Sequence, residues 1–347
     1  MQRFRLISDP DESIAGQDAV AMLEALGGPT ALFFSGVDAR RTRAVVTLLH
    51  GNEPSGVFAL REWLLSGKRP AVNLLFIVAS VHAALTPPQF SHRMLPRARD
   101  LNRCFKGPFD DEQGLLAQDI LSLLEVYSPE AVIDIHNTSG SGPAFGVCTH
   151  LDRQHDALIS IFTRRLVLSH LNLGALMEIS DDSCPTVTVE VGGRLDDEAH
   201  ALAIEGLFRF ATADRVLAPE GKTDWGLEVF GAPIRLELQS GVTVAYHESP
   251  KPGYDVTLRA DIEHHNFGTV SPDTPLGWLA GTPESVFRAQ DAAGSCAVAR
   301  LVRDEGGQLF PASTLRLFMI TTNAAIAESD CLFYAVIDEQ QDGDQAA

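Results

Sequence analysis

From about residue 30 to residue 215, short β-branched and apolar runs alternate with longer stretches in which apolar residues recur at i, i+3 and i+4. The first pattern marks buried strands and the second amphipathic helices. Strands separated by helices join into an α/β layer with a mostly parallel sheet buried on both faces. The spacing predicts strands at 31–35, 44–49, 72–81, 131–135, 145–149 and 186–191, and helices at 55–65, 111–127, 153–171 and 196–213. After Asp214 the texture changes. Runs such as "LEVFGAPIRLELQSGVTVAYHES", "YDVTLRADIE" and "TLRLFMITT" are short, strand-like and separated by Gly, Pro, Asp and Ser, the pattern of a smaller all-β unit. The expected division is an α/β domain over 1–215, a small β domain over 216–338 and a disordered acidic tail over 339–347, with the boundary between Asp214 and Asp224.

The chain's 347 residues are 45% hydrophobic and 21% charged, a globular balance in a length that favours more than one core. Its formal net charge of −19 repels phosphate backbones and anionic membranes, which argues against nucleic acid or membrane partners. No run reaches the roughly 18 uncharged apolar residues of a spanning helix, and the start lacks a signal-peptide layout. Five scattered cysteines without a C-x-x-C suggest reduced thiols rather than a disulfide framework or thiolate zinc site. A cytoplasmic protein is expected; its oligomeric state is left open. One local exception stands against the acidic background. Arg93, Arg97, Arg99, Arg103 and Lys106 surround a single acid, Asp100, as capture of a small anion would require.

In open α/β sheets, ligands sit beyond the carboxyl ends of strands. His50 follows the run 44–49, His136 follows "AVIDI", and Glu190 lies near the end of "PTVTVEVGG". Catalytic zinc sites use three protein ligands, His₂Glu among the common sets, and keep a fourth position for water. His50 and Glu53, three apart at a strand-to-helix turn, can reach one metal, and His136 from another strand completes the set. Glu190 then serves as general base, moving a proton from water to a leaving nitrogen.

Four stretches, "HGNE" (50–53), "RMLPRARDLNRCF" (93–105), "DIHNTSG" (134–140) and "TVEVGG" (188–193), resemble in order and spacing the succinylglutamate desuccinylase/aspartoacylase family, which is related to the zinc carboxypeptidases. The resemblance covers about residues 43–193. It implies a zinc-dependent deacylase acting on an N-acyl amino acid or related small carboxylate, with one zinc per chain held by His50, Glu53 and His136 and with Glu190 catalytic. It implies further that Arg93 polarises the scissile carbonyl and that Asn102 and Arg103 hold a substrate carboxylate. Asn137, beside His136 in the third motif, is placed with the substrate-binding residues. Arg97 and Arg99 read as solvated loop charges, with Arg97 the alternative should the loop register differ.

One departure bears on specificity. Aspartoacylases carry a further arginine shortly before the catalytic glutamate, whereas "LMEISDDSCPTVTV" (176–189) has three acids and no basic residue. Arg164 and Arg165 fall on the helix expected at 153–171, as a solvated face. His264, His265 and His247 read as turn residues. Two other readings share this scaffold: a carboxypeptidase acting on peptides, and an inactive binding module.

Overall fold

The apolar runs and periodic stretches of the first half fold in the order β1 (Arg5–Ser8), α1 (Ala19–Leu26), β2 (Thr30–Phe34), β3 (Asp38–Thr47), α2 (Ser55–Ser66), β4 (Val72–Val78), α3 (Val81–Leu85), α4 (Glu112–Tyr127), β5 (Val132–Thr138), β6 (Phe145–Cys148), α5 (Arg153–Ile159), β7 (Arg165–Leu168), β8 (Thr186–Gly193), α6 (Asp197–Thr212) and β9 (Glu228–Phe230). This computed structural model describes residues 4–338 apart from 139, 171, 220, 222–223, 292 and 330. The acidic tail expected at 339–347 lies outside the described residues. The chain divides into two units, Met1–Thr138 with Ala144–Val229, and Ser139–Pro143 with Phe230–Ala347.

In the first unit a nine-stranded sheet runs β1-β2-β4-β3-β5-β8-β6-β7-β9. Its centre, β4-β3-β5-β8, is parallel, while the joins β2–β4 and β6–β8 are antiparallel. The sheet is thus mixed. Both faces are buried, as strict alternation along the strands shows. Val45 on β3 and Leu74, Phe76 and Val78 on β4 join one core with Leu60 and Trp63 of α2 and Leu207 and Phe210 of α6. Ala44, Val46, Leu75 and Ile77 point the other way, into a core with Leu116, Ile120 and Leu124 of α4. Two-residue periodicity sends successive side chains to opposite faces, so each strand feeds both cores.

The helix expected at 153–171 stops at Ile159 and the chain re-enters the sheet as β7. Short apolar runs such as "LVL" satisfy either period, and pairing with β6 decides for strand. Arg165 therefore sits in a strand, and Arg164 beside it donates to the Trp225 carbonyl instead of lining a helix face. Beneath the sheet, the fully buried Arg43 donates to Glu130 at 2.7 Å and to the Phe210, Ala213 and Asp214 carbonyls at 2.7, 2.7 and 3.1 Å. It thereby closes the carboxyl end of α6, where carbonyls lack partners within the helix.

The second unit holds two five-stranded sheets around its own core, whose members include Leu236, Leu258, Leu317 and Phe333. Short helical segments at Ile262–His265, Pro283–Val286, Val298–Leu301 and Ala324–Ser329 interrupt the strands, so the unit is β-rich where an all-β unit was expected. His264 and His265 end the first of these segments. Among the described residues no helix is long and apolar enough to cross a membrane.

Arg43→Met should leave the buried Phe210 carbonyl without its guanidinium partner and Glu130 with Arg41 alone. Removing one member of a buried charged set destabilises by about 3–5 kcal/mol, and urea unfolding followed by circular dichroism should show that loss.

Candidate metal centre

The turn after β3 brings the first ligand candidates together. Leu48 is buried with φ at 56°, left-handed geometry that a non-glycine residue adopts only at a cost. It redirects the chain into "HGNE". A Cβ on Gly51 would lie 2.6 Å from the Ala83 Cβ, so only glycine fits there, and its N–H donates to the Arg93 carbonyl at 2.9 Å. Gly56 similarly lets α2 lie against β3, since a methyl there would collide with the Thr47 side chain. The second histidine arrives by strand alternation. On β5, Asp134 and His136 continue the face of Val132, and on β8 Glu190 is the registered partner of His136.

Three buried side chains converge. His50 Nδ1 lies 2.8 Å from Glu53 Oε1, and His136 Nδ1 lies 2.7 Å from Glu53 Oε2. One donor atom from each residue falls within 4.8 Å of the others, a grouping that could hold a metal ion. The outer nitrogens bear on the fit. His50 Nε2 is 2.9 Å from Asp100 Oδ1, and His136 Nε2 is 2.8 Å from Asp134 Oδ2. Metal-ligating histidines commonly engage a carboxylate through the nitrogen that does not face the metal. The donor set and its supporting carboxylates therefore suit zinc.

Electrostatics follow from burial and these neighbours. Burial pushes Glu53 toward its neutral form, but the two imidazoles outweigh it and hold the carboxyl below its ordinary value. Burial likewise opposes charge on both histidines. Glu53 and Asp100 nevertheless raise His50 above its ordinary value, and Asp134 with Glu53 raises His136 well above its own. Asp100 is also held low, since His50, Arg93 and Arg103 overcome its burial. Glu190 goes the other way: burial raises it to about 7, and its buried Oε2 has no hydrogen-bond partner among the described residues.

The basic island resolves into distinct roles. Arg93 donates to Asp100 Oδ2 at 2.9 Å and stands 3.7 Å from Glu53 Oε1. Arg99 is tied to Asp111, the N-cap of α4, at 2.6 and 2.7 Å, and so is a structural charge where a solvated one was expected. Lys106 is paired with Glu178 at 2.6 Å. Arg97 is exposed, and Arg103 reaches only the adjacent Asn102 carbonyl, at 2.7 Å. Among the described residues, neither Arg97 nor Arg103 has a carboxylate partner.

One expectation changes. Asn137 was placed with the substrate-binding residues, yet its amide is buried and spent on Ser55 N (3.0 Å), Ser55 Oγ (2.8 Å) and the Gly192 carbonyl (3.0 Å). Adjacent strand residues face opposite ways, so Asn137 turns toward α2 where His136 turns toward Glu53. Asn102 is also buried, and its Oδ1 accepts from Leu176 N at 2.9 Å, so it braces the loop that presents Arg103. Sequence reasoning missed Asp100 and Asp134. Their signals were present: the one acid in a basic run, and an acid two residues before His136 on the same strand face.

The catalytic-domain profile of the succinylglutamate desuccinylase/aspartoacylase family matches residues 39–210. Residues 39–210 are a catalytic domain of that family. The matched stretch contains β3 through most of α6, and with them every residue of the centre. Solved structures share the fold: a succinylglutamate desuccinylase/aspartoacylase from Rhodobacter sphaeroides (13% identity, 88% of this chain and 86% of that one, TM-score 0.53); a succinylglutamate desuccinylase from Silicibacter sp. TM1040 (17%, 89% and 88%, 0.55); and murine aminoacylase 3 (17%, 86% and 96%, 0.50). No curated protein sequence matches the chain.

A histidine raised on folding adds stability that is fully present below its unfolded pKa of about 6.5 and is lost as pH rises through the folded value. A carboxylate lowered on folding adds stability present above about pH 4 and lost as pH falls through its folded value. Protein held in EDTA should therefore melt at a lower temperature at about pH 9 than at about pH 6. Glu53→Gln should flatten that decline in a calorimetric pH series, because the charge that raises both imidazoles is gone.

Proposed function

We propose that this chain is a zinc-dependent amidohydrolase that removes the acyl group from an N-acyl amino acid or related small carboxylate. The observation that carries the reading is the buried convergence of His50, Glu53 and His136, backed by Asp100 and Asp134 and facing Glu190 across one strand pair. His50, Glu53 and His136 would hold one zinc per chain. Bound there, zinc supplies Lewis acidity toward the acyl carbonyl and acidifies water.

The remaining work falls to the chain's own groups. Glu190, raised to about 7 by burial, is suited to take a proton from the attacking water and return it to the departing nitrogen near neutral pH. Arg93, held by Asp100, is the cation available to the oxyanion as negative charge develops on the carbonyl oxygen. Arg103, with no carboxylate partner among the described residues, is suited to fork onto the substrate carboxylate. The stretch 176–189 before Glu190 holds no arginine, which supports a substrate with one essential carboxylate over an acylaspartate with two. Five free thiols and the charge of −19 accord with a cytoplasmic enzyme handling small molecules.

Metal analysis of purified protein should find about one zinc per chain, lost in His50→Ala and His136→Ala with the fold retained. Glu190→Gln should keep the metal while turnover falls roughly 10²–10⁴-fold; turnover near wild type would remove Glu190 from the mechanism.

Matched substrates test the carboxylate grip. Replacing the carboxylate of an N-acyl neutral amino acid by an amide removes a charge-assisted pair of about 1.5–3 kcal/mol, a loss of roughly ten- to a hundredfold in kcat/KM. Arg103→Ala should erase most of that difference. Equal discrimination by both proteins would place the carboxylate elsewhere, and a preference for N-acetylaspartate would show a second grip, with exposed Arg97 its first candidate.

A further inference from the structure

Glu53 stands two residues before an inadequately capped helix. Pro54 at the N-cap of α2 offers no side-chain acceptor, and its carbonyl receives Val57 N and Phe58 N at 2.9 and 3.0 Å. The amide of Ser55 is satisfied instead from β5, by Asn137 Oδ1 at 3.0 Å. Asn137 Nδ2 donates in return to Ser55 Oγ at 2.8 Å, and the Asn137 backbone N–H faces Glu53 Oε2 at 3.4 Å. The carboxylate and the helix start are thus fixed by one asparagine.

The network continues to α6. Ser55 Oγ is buried and lies 2.8 Å from His200 Nδ1. An amide nitrogen can only donate, so Ser55 accepts from Asn137, and its single hydroxyl proton needs an acceptor. His200 Nδ1 is the acceptor within reach, which puts the proton of the neutral ring on Nε2. Phe58 holds the imidazole edge-on, with centroids 4.6 Å apart and planes at 84°. Burial keeps the ring's pKa below its ordinary value despite Asp196 and Asp197, which favours the accepting form.

We propose that His200 is a positioning residue for the catalytic centre, acting on Glu53 through Ser55 and Asn137. The inference rests on the metal-centre reading above. Without an acceptor at residue 200, the buried Ser55 hydroxyl turns to compete for Asn137 Oδ1, the group that caps α2. The cap loosens, and Glu53 loses the fixed placement that a zinc ligand needs to within about 0.2 Å. Neither His200 nor Ser55 touches the ligand cluster, so proximity to the metal would not reveal the role.

The test compares wild type, His200→Phe, His200→Asn and Ser55→Ala for zinc affinity by chelator competition, for kcat and KM, and for the unfolding midpoint of the metal-free protein. Phenylalanine keeps the ring against Phe58 without an acceptor, whereas asparagine places an amide oxygen near the position of Nδ1. His200→Phe should weaken zinc binding by up to the roughly 10–100-fold that losing a partner bonded directly to a ligand costs, and lower kcat with little change in KM. His200→Asn should restore both, and Ser55→Ala should weaken zinc binding in the same direction. The loosened cap should lower the His200→Phe midpoint only modestly below that of His200→Asn, whereas a fall in kcat and zinc affinity with KM unchanged is what a merely structural loss would not give. Wild-type zinc affinity in both His200→Phe and Ser55→Ala would overturn this inference alone, as would failure of asparagine to rescue. A wild-type protein that binds no zinc would overturn the metal-centre reading and this inference with it.

Discussion

Carboxylate and imidazole alternate through five residues, Asp134, His136, Glu53, His50 and Asp100, each contact between 2.7 and 2.9 Å. Such a chain is tolerable in a protein interior only when every charge faces its complement, because the desolvation of an unpaired ion is far larger than any one contact returns. That demand explains much of the surrounding structure. The five side chains come from a strand, a strand-to-helix turn and a distant loop, and all must arrive within a few tenths of an ångström. A sheet packed on both faces supplies the rigidity, while Leu48 and Gly51 supply the turn. Arg93 balances Asp100 at one end, so the charge of Glu53 and Asp134 can be met by protons on the two imidazoles or by a divalent cation between them.

Much of the fold was legible in the sequence because both sheet faces are buried. The central strands are long, apolar and β-branched, and α2, α4 and α6 keep an apolar face over 12 to 16 residues. Pattern fails where elements shrink. β1 spans four residues, and α1, nearly all apolar, shows no polar face to betray its period. Within 153–171 a short helix and a short strand follow one another across residues 160–164, and the short apolar runs of each satisfy either period. The mixed character of the sheet escaped for a different reason, since strand direction is set by connections and leaves no mark on composition.

The centre was more legible than the sheet. His50, Glu53 and His136 announce themselves by chemistry and by standing at strand ends. What single residues cannot announce is occupancy: Asn137 has the right chemistry beside the right neighbour, but its amide is consumed by Ser55 and Gly192, and the oxygen of Asn102 is taken by Leu176. For Asn137 the alternation rule already carried the answer, as it follows His136 directly on a strand. No local rule assigns Arg99 to Asp111 and leaves Arg103 without a carboxylate, because that sorting depends on where a long loop lies.

Asp100 spends one oxygen on His50 and the other on Arg93. A candidate metal ligand and a candidate oxyanion cation therefore share a single anchor, and a change at either end alters the field and orientation felt by the other. Substitutions at His50 and Arg93 should not combine additively, since residues bound to one partner couple energetically. For the same reason the two groups are poor independent handles for redesign: lengthening the Arg93 loop to admit a larger acyl group would also slacken His50. Variation in substrate preference on this scaffold is better sought at Arg103, whose guanidinium bears on Asp100 through its charge alone and, among the described residues, makes no hydrogen bond to it.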